Sequence, residues 1–208
     1  VTRRNARDDP FDGVYVRLVS SGLLDGAKRA AVLALVSRVR GEGVTTLCVG
    51  LGRTIAATGK RVLLLDAAPV GTRAGAVLGL SAEPLTLDGH PDAAVVERAI
   101  TAAPRDGFDV LAVAGAKLAE PEWAGVRDAL AQRYDAIIVD TGSLDTDVPH
   151  RWRGAVDKTL LVMDAQQTTY EILERLKADL DHASFRLSGF VMNRRAFPVP
   201  ALVYRLAH

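Results

Sequence analysis

Four short runs constrain this chain more than any other feature: AAVLALVS (Ala30–Ser37), RVLLLD (Arg61–Asp66), AIIVD (Ala136–Asp140) and TLLVM (Thr159–Met163). Each is almost wholly apolar. A strand with one wet face alternates apolar and polar residues, whereas a strand covered on both faces does not. Two further runs, Asp109–Ala114 and Leu187–Met192, have the same character. Between the runs lie segments with helical patterning: Thr45–Thr58, stopped by Gly59, then Asp92–Ala103, Pro121–Tyr134 and Thr168–Ala183. Gly just past a helix is the usual stop signal. Asp12–Leu24 reads as a short amphipathic helix and Pro200–Leu206 as a closing one. Buried strands separated by helices predict an α/β fold with a doubly wound, mostly parallel sheet of about seven or eight strands. Residues 1–11 read as a flexible leader and 12–208 as a single domain, without a linker or an internal repeat. A chain of 208 residues is long enough for one sizeable core.

The charge balance narrows the function. A net charge of +1 gives no general basic field, which argues against a nucleic-acid partner. No apolar run reaches the roughly 20 residues of a membrane span, so membrane association is expected through a partner. No signal peptide is visible. The single cysteine, Cys48, excludes an intrachain disulfide and suits a reducing compartment. Four scattered histidines make no metal-ligand spacing, and His150 reads as structural or interfacial.

The chemistry concentrates where the first apolar run ends, in SRVRGEGVTT (Ser37–Thr46). Backbone N–H groups curled at a helix N-terminus cradle phosphate oxygens. Gly41 and Gly43 permit such a curl, and Thr45 or Thr46 offers a hydroxyl to Mg2+. Yet Val44 stands where the pattern G-x-x-x-x-G-K-[ST] has its lysine, and Arg38 stands at its first position. Arg outnumbers Lys 21 to 5, so few lysines are available to replace it. Arg38 and Arg40 read as solvated loop residues, with a displaced phosphate contact as the sharper alternative. Asp66 and Asp140 both end apolar runs, so both are expected at the carboxyl edge of the sheet, where ligands bind.

In order along the chain, Gly41-Glu42-Gly43, Thr45-Thr46, Gly59, Val62–Asp66, Ile137–Thr141 and Asn193 form a set. That set resembles the cytoplasmic ATPase domain of bacterial tyrosine kinases and their relatives in exopolysaccharide and capsule assembly. These belong to the deviant P-loop class that includes ParA- and MinD-type ATPases. The resemblance covers residues 12–208, and the Gly-Glu-Gly triplet points to the polysaccharide branch. It implies a P-loop NTPase-type fold and a nucleotide site at Gly41, Glu42, Gly43, Val44, Thr45, Thr46 and Asn193, the last at a position that reads adenine in relatives. It implies catalytic roles for Asp66 and Asp140, and Mg2+ held by Thr45, Asp66 and Asp140.

The departures are equally specific. Val44 replaces the lysine, Val39 stands at the signature lysine of ParA and MinD proteins, and Ala68 replaces the second acid after Asp66. Asp140-Thr141 is followed by Gly142 rather than proline, and the Glu–Arg–Arg spacing of ring assembly is missing from Asp12–Ser20. Tyr204 stands alone where autokinases carry a tyrosine cluster. The resemblance with these losses implies a degenerate kinase-like protein in exopolysaccharide or capsule assembly, with ATP, ADP and Mg2+ bound weakly or not at all. Its expected partner is a Wzz-like inner-membrane polysaccharide co-polymerase, its expected place the cytoplasmic face of that membrane, and homo-oligomers are compatible. The alternatives are an active ATPase or tyrosine autokinase with a relocated cation, and a ParA/MinD-like positioning ATPase.

Overall fold

The computed structural model describes residues 10–24, 30–67, 73–81, 84–86, 92–114, 120–182 and 185–194. The elements run α1 (Pro10–Ser20), β1 (Ala31–Ser37), α2 (Val44–Ala57), β2 (Val62–Asp66), α3 (Arg73–Leu78), β3 (Leu85–Thr86) and α4 (Ala93–Ala99). They continue β4 (Thr101–Ala103), β5 (Phe108–Ala114), α5 (Glu120–Arg133), β6 (Ala136–Ser143), α6 (Val148–Trp152), β7 (Lys158–Asp164), α7 (Tyr170–His182) and β8 (Gly189–Asn193).

The strands pair in the order β3-β5-β2-β6-β1-β7-β8, every neighbour parallel, and β4 adds antiparallel to β5. The expected sheet is therefore present. Alternate residues of each apolar run feed opposite faces. Leu33, Leu35, Leu64 and Ile138 pack against Leu47, Cys48, Leu51 and Ile55 of α2. Val32, Leu63, Leu65, Ile137 and Val139 pack against Val126 and Leu130 of α5 and Trp152 of α6. A smaller cluster joins Leu161 and Met163 to Leu176 and Leu180 of α7. Leu51 is fully buried, and truncating such a side chain to Ala typically costs about 2–5 kcal/mol.

Two segments differ from expectation. Residues 92–103 are not one helix. Asp92 caps α4 by accepting the Ala94 N–H at 2.9 Å, and the helix ends at Ala99. Thr101–Ala103 then pairs with β5 across a tight turn in which Gly107 has φ 76°. Pro104 disfavours helical backbone at the residue before it, which turns the chain toward the hairpin. At the other end, α1 starts at Pro10, so Pro10 and Phe11 of the expected leader are helical. Ala68, Tyr204 and the expected helix Pro200–Leu206 lie outside the described residues.

This topology creates one privileged edge. The connection leaving β1 crosses over β6 to reach β2, while that leaving β6 crosses over β1 to reach β7. Connections that part to opposite sides open a crevice at the carboxyl ends of the strands between them. The glycine loop follows β1 and Asp140 lies on β6, so both face that crevice.

Candidate functional site

The loop begins at Ser37, the last residue of β1, whose hydroxyl donates to the Val39 carbonyl at 2.8 Å. Gly41 and Gly43 adopt φ 90° and 100°, a region side chains resist, and Gly43 is the N-cap of α2. A Cβ on Gly43 would lie 2.2 Å from Asn193 Nδ2, so glycine is required there for space as well as for backbone shape. The N–H groups of the first helical turn have no intrahelical acceptor and present partial positive charge. The loop is thus tightly curled at the N-terminus of α2.

Val44 opens α2 and is 6% exposed, packed into the cluster beneath the sheet face. Next to it, the Thr45 hydroxyl donates to Asp140 Oδ2 at 2.6 Å, while Thr46 points to solvent. Thr45, not Thr46, is therefore the hydroxyl at the carboxylate. Asp140 is fully buried, and its other oxygen accepts the Gly142 N–H at 3.0 Å. That bond depends on a β-bulge: β1 and β6 lose register between Asp140 and Ser143, and Gly142 takes φ 76°. A proline at position 142 would have neither the N–H nor the positive φ.

Asp66 lies beside Asp140 in strand register. Its Oδ2 accepts the Ala74 N–H at 2.8 Å, so it also organises the first turn of α3. Beneath both acids sits Cys48. Burial, and then the negative charge of Asp140 and Asp66, push its thiol well above its ordinary pKa, so it stays a protonated packing group.

Spacing alone does not disclose two further features. Glu42 is only 2% exposed. Its Oε2 accepts the N–H groups of Arg38 at 2.8 Å and Val39 at 3.1 Å, and its Oε1 lies 3.5 Å from the Asp164 N–H. The carboxylate thus folds back inside the loop. Asp164 ends β7, a third apolar run closed by an acid, which is the sequence signal that could have found it. It accepts the Gln166 N–H at 2.9 Å and the Arg194 guanidinium at 2.8 Å, and these bonds lower its pKa, the Gln166 bond most.

Asn193 reaches the site, but its amide is turned to the loop. Nδ2 donates to the Glu42 carbonyl at 2.8 Å, and Oδ1 accepts the Arg194 N–H at 2.9 Å. Of the two loop arginines, Arg38 approaches Glu42 at 4.0 Å and Arg40 approaches Asp145 at 3.9 Å. His150 makes an edge-on ring contact with Phe185 at 5.5 Å.

The donor set suits a phosphate-bound divalent ion in part. Thr45 and Asp140 offer adjacent hard oxygens, and Mg2+ commonly takes the rest of its shell from phosphate and water. Among the described residues, no group of three or more His, Cys, Asp or Glu side chains is placed to hold an ion alone. The anion side keeps its curl but has an apolar, buried side chain at position 44.

No protein family and no curated protein matches the chain. Solved structures do. The kinase domain of the Escherichia coli tyrosine kinase ETK superposes with a TM-score of 0.68 at 19% identity, over 91% of this chain and 77% of that one. The kinase domain of VpsO gives 0.64 at 21% identity, over 89% and 96%. The septum site-determining protein MinD of Pyrococcus horikoshii, solved with Mg-ADP, gives 0.60 at 19% identity, over 85% and 76%. The likeness at these identities is one of fold: the described residues form an α/β domain with the fold seen in MinD and in these bacterial kinase domains.

Proposed function

We propose that this chain is a catalytically degenerate, tyrosine-kinase-like P-loop protein. It serves exopolysaccharide or capsule assembly as a regulatory partner of a Wzz-like polysaccharide co-polymerase, at the cytoplasmic face of the inner membrane and with room for self-association. The observation that carries this reading is Val44. It is buried in the core at the lysine position, one residue from an intact Thr45–Asp140 pair.

Phosphoryl transfer depends on positioning and on neutralising charge. Here the positioning groups remain and the neutralising one is gone. Each few kcal/mol lost from a transition state costs about two orders of magnitude in rate. ATP or ADP would meet the N-terminus of α2, with Thr45, Asp140 and Asp66 on the metal side. Bound Mg2+ would supply charge neutralisation, and weak affinity is expected without the lysine. Gly41-Glu42-Gly43 supports the polysaccharide setting over a positioning ATPase, while the fold, common to the ETK and VpsO kinase domains and to MinD, suits both.

A second reading, an active ATPase or autokinase with a relocated cation, is favoured by Arg38, whose guanidinium already sits at the loop. Genetic replacement separates the two. Asp140→Asn retains an acceptor for Gly142 and a donor for Thr45 but removes the charge. Under the first reading, deleting the gene lowers polysaccharide output while Asp140→Asn leaves it near wild type. Loss of output in Asp140→Asn, with the protein folded and present, favours the second.

A further inference from the structure

We propose that Glu42 and Asn193 form a latch that holds the glycine loop in its curl from within the protein, so that they are the loop's positioning residues. Phosphate-binding loops contain strained glycines and exposed N–H groups, and such backbone persists only where the surroundings over-determine it. Here the holding contacts come from the ends of β7 and β8. The Glu42 carboxylate supplies a buried acceptor for the N–H groups of Arg38 and Val39, on the rising side of the loop. Asn193 takes the Glu42 carbonyl on the descending side and fills the space beside Gly43. The amide is itself held, because its Oδ1 accepts the N–H of Arg194. Arg194 is kept at φ 54°, uncommon for a residue with a side chain, while its guanidinium is bonded to buried Asp164. Asp164 in turn directs its own N–H toward Glu42.

The loop, the end of β7 and the end of β8 therefore close one hydrogen-bonded ring. Glu42 is its shared member, contributing its carboxylate on one side and its carbonyl on the other. This accounts for a curled loop in a chain whose buried Val44 lends no charge to hold a ligand. It also makes β8 a control point. Among the described residues β8 is the outermost strand on its side of the sheet, paired only to β7, and any displacement of it acts on Gly43 through Asn193. By linkage, whatever shifts β8 shifts the loop, and whatever fills the loop shifts β8.

The test is amide hydrogen exchange on the full chain, with no nucleotide present, so its outcome does not depend on the proposed function. Asn193→Ala and Glu42→Ala should each speed exchange at residues 38–46 by about tenfold, the effect of losing one or two buried hydrogen bonds. The central strands β2 and β5 should keep wild-type rates. Because the two residues act in one ring, the double variant should fall short of the product of the single effects. Glu42→Gln takes the place of Glu42→Ala if that variant does not fold. The proposal is overturned by wild-type loop exchange in Asn193→Ala, by acceleration spread evenly over the whole sheet, or by fully multiplicative effects.

Discussion

Gly43 and Gly41 share a positive φ but not a neighbourhood, and this separates their substitutions. A Cβ on Gly41 meets nothing within 4 Å, so Gly41→Ala carries backbone strain alone, about 1 kcal/mol. At Gly43 the Cβ collides with the Asn193 amide, so Gly43→Ala adds the displaced hydrogen bond, for about 2–3 kcal/mol in all. Urea denaturation of both variants checks the order; equal losses would mean that Asn193 does not brace Gly43. Asp164 sets a pH dependence at the same edge. Its folded pKa lies below the ordinary carboxylate value, so its contribution is present above the unfolded pKa of about 4 and fades as pH falls through the folded value. Asp164→Asn should therefore lower the denaturation midpoint at pH 7 and matter progressively less toward pH 3. Gly41, Gly43, Thr45 and Asp140 are legible in the sequence because backbone conformation and strand ends leave local marks. The inward fold of Glu42 and the pairing of Arg194 are not: beyond the nearby N–H groups of Arg38 and Val39, Glu42 meets Asp164 and Asn193, 122 and 151 residues away, and Arg194 meets Asp164, 30 residues away.

Among the elements, α1 docks on α2 through a ring lodged against a glycine. A Cβ on Gly50 would sit 2.4 Å from the Phe11 ring. Alanine is the better helix former by about 1 kcal/mol, yet here it must push that ring away. Gly50→Ala should thus leave α2 intact and loosen α1. Exchange protection at residues 11–20 should fall while that of the sheet holds; unchanged protection in α1 would show that the ring has room to retreat. The central elements follow from the sequence because a run of five to eight aliphatic residues has one stable place, inside. The boundary of α4 does not. Thr101–Ala103 becomes a strand only because β5 offers a free edge, a tertiary circumstance that Pro104 and Gly107 hint at without specifying. The start of α1 at Pro10 is similar: Phe11 joins the helix because Gly50 leaves room for its ring.

At the scale of the molecule, the sheet concentrates chemistry at one end. Glu42, Asp66, Asp140 and Asp164 are all buried along the carboxyl edge, three of them on β2, β6 and β7 and Glu42 in the loop that follows β1. That edge is legible in the sequence, because apolar runs closed by an acid mark it. The opposite end has a different character, with Tyr134 donating to Asp109 at 2.8 Å beside a cavity of about 350 Å³. Burial first, and then that bond, raise the Tyr134 pKa, so its contribution fades only at strongly alkaline pH. The proposed function divides the site: geometry for phosphate retained, charge for phosphoryl transfer lost. Steady-state phosphate release from MgATP, with tyrosine phosphorylation followed in the same samples, tests that division most directly. The purified chain should turn over no faster than Asp140→Asn and should label no tyrosine. Turnover or labelling that disappears in Asp140→Asn would contradict the account and show that another cation, with Arg38 the first to replace, does the work of the missing lysine.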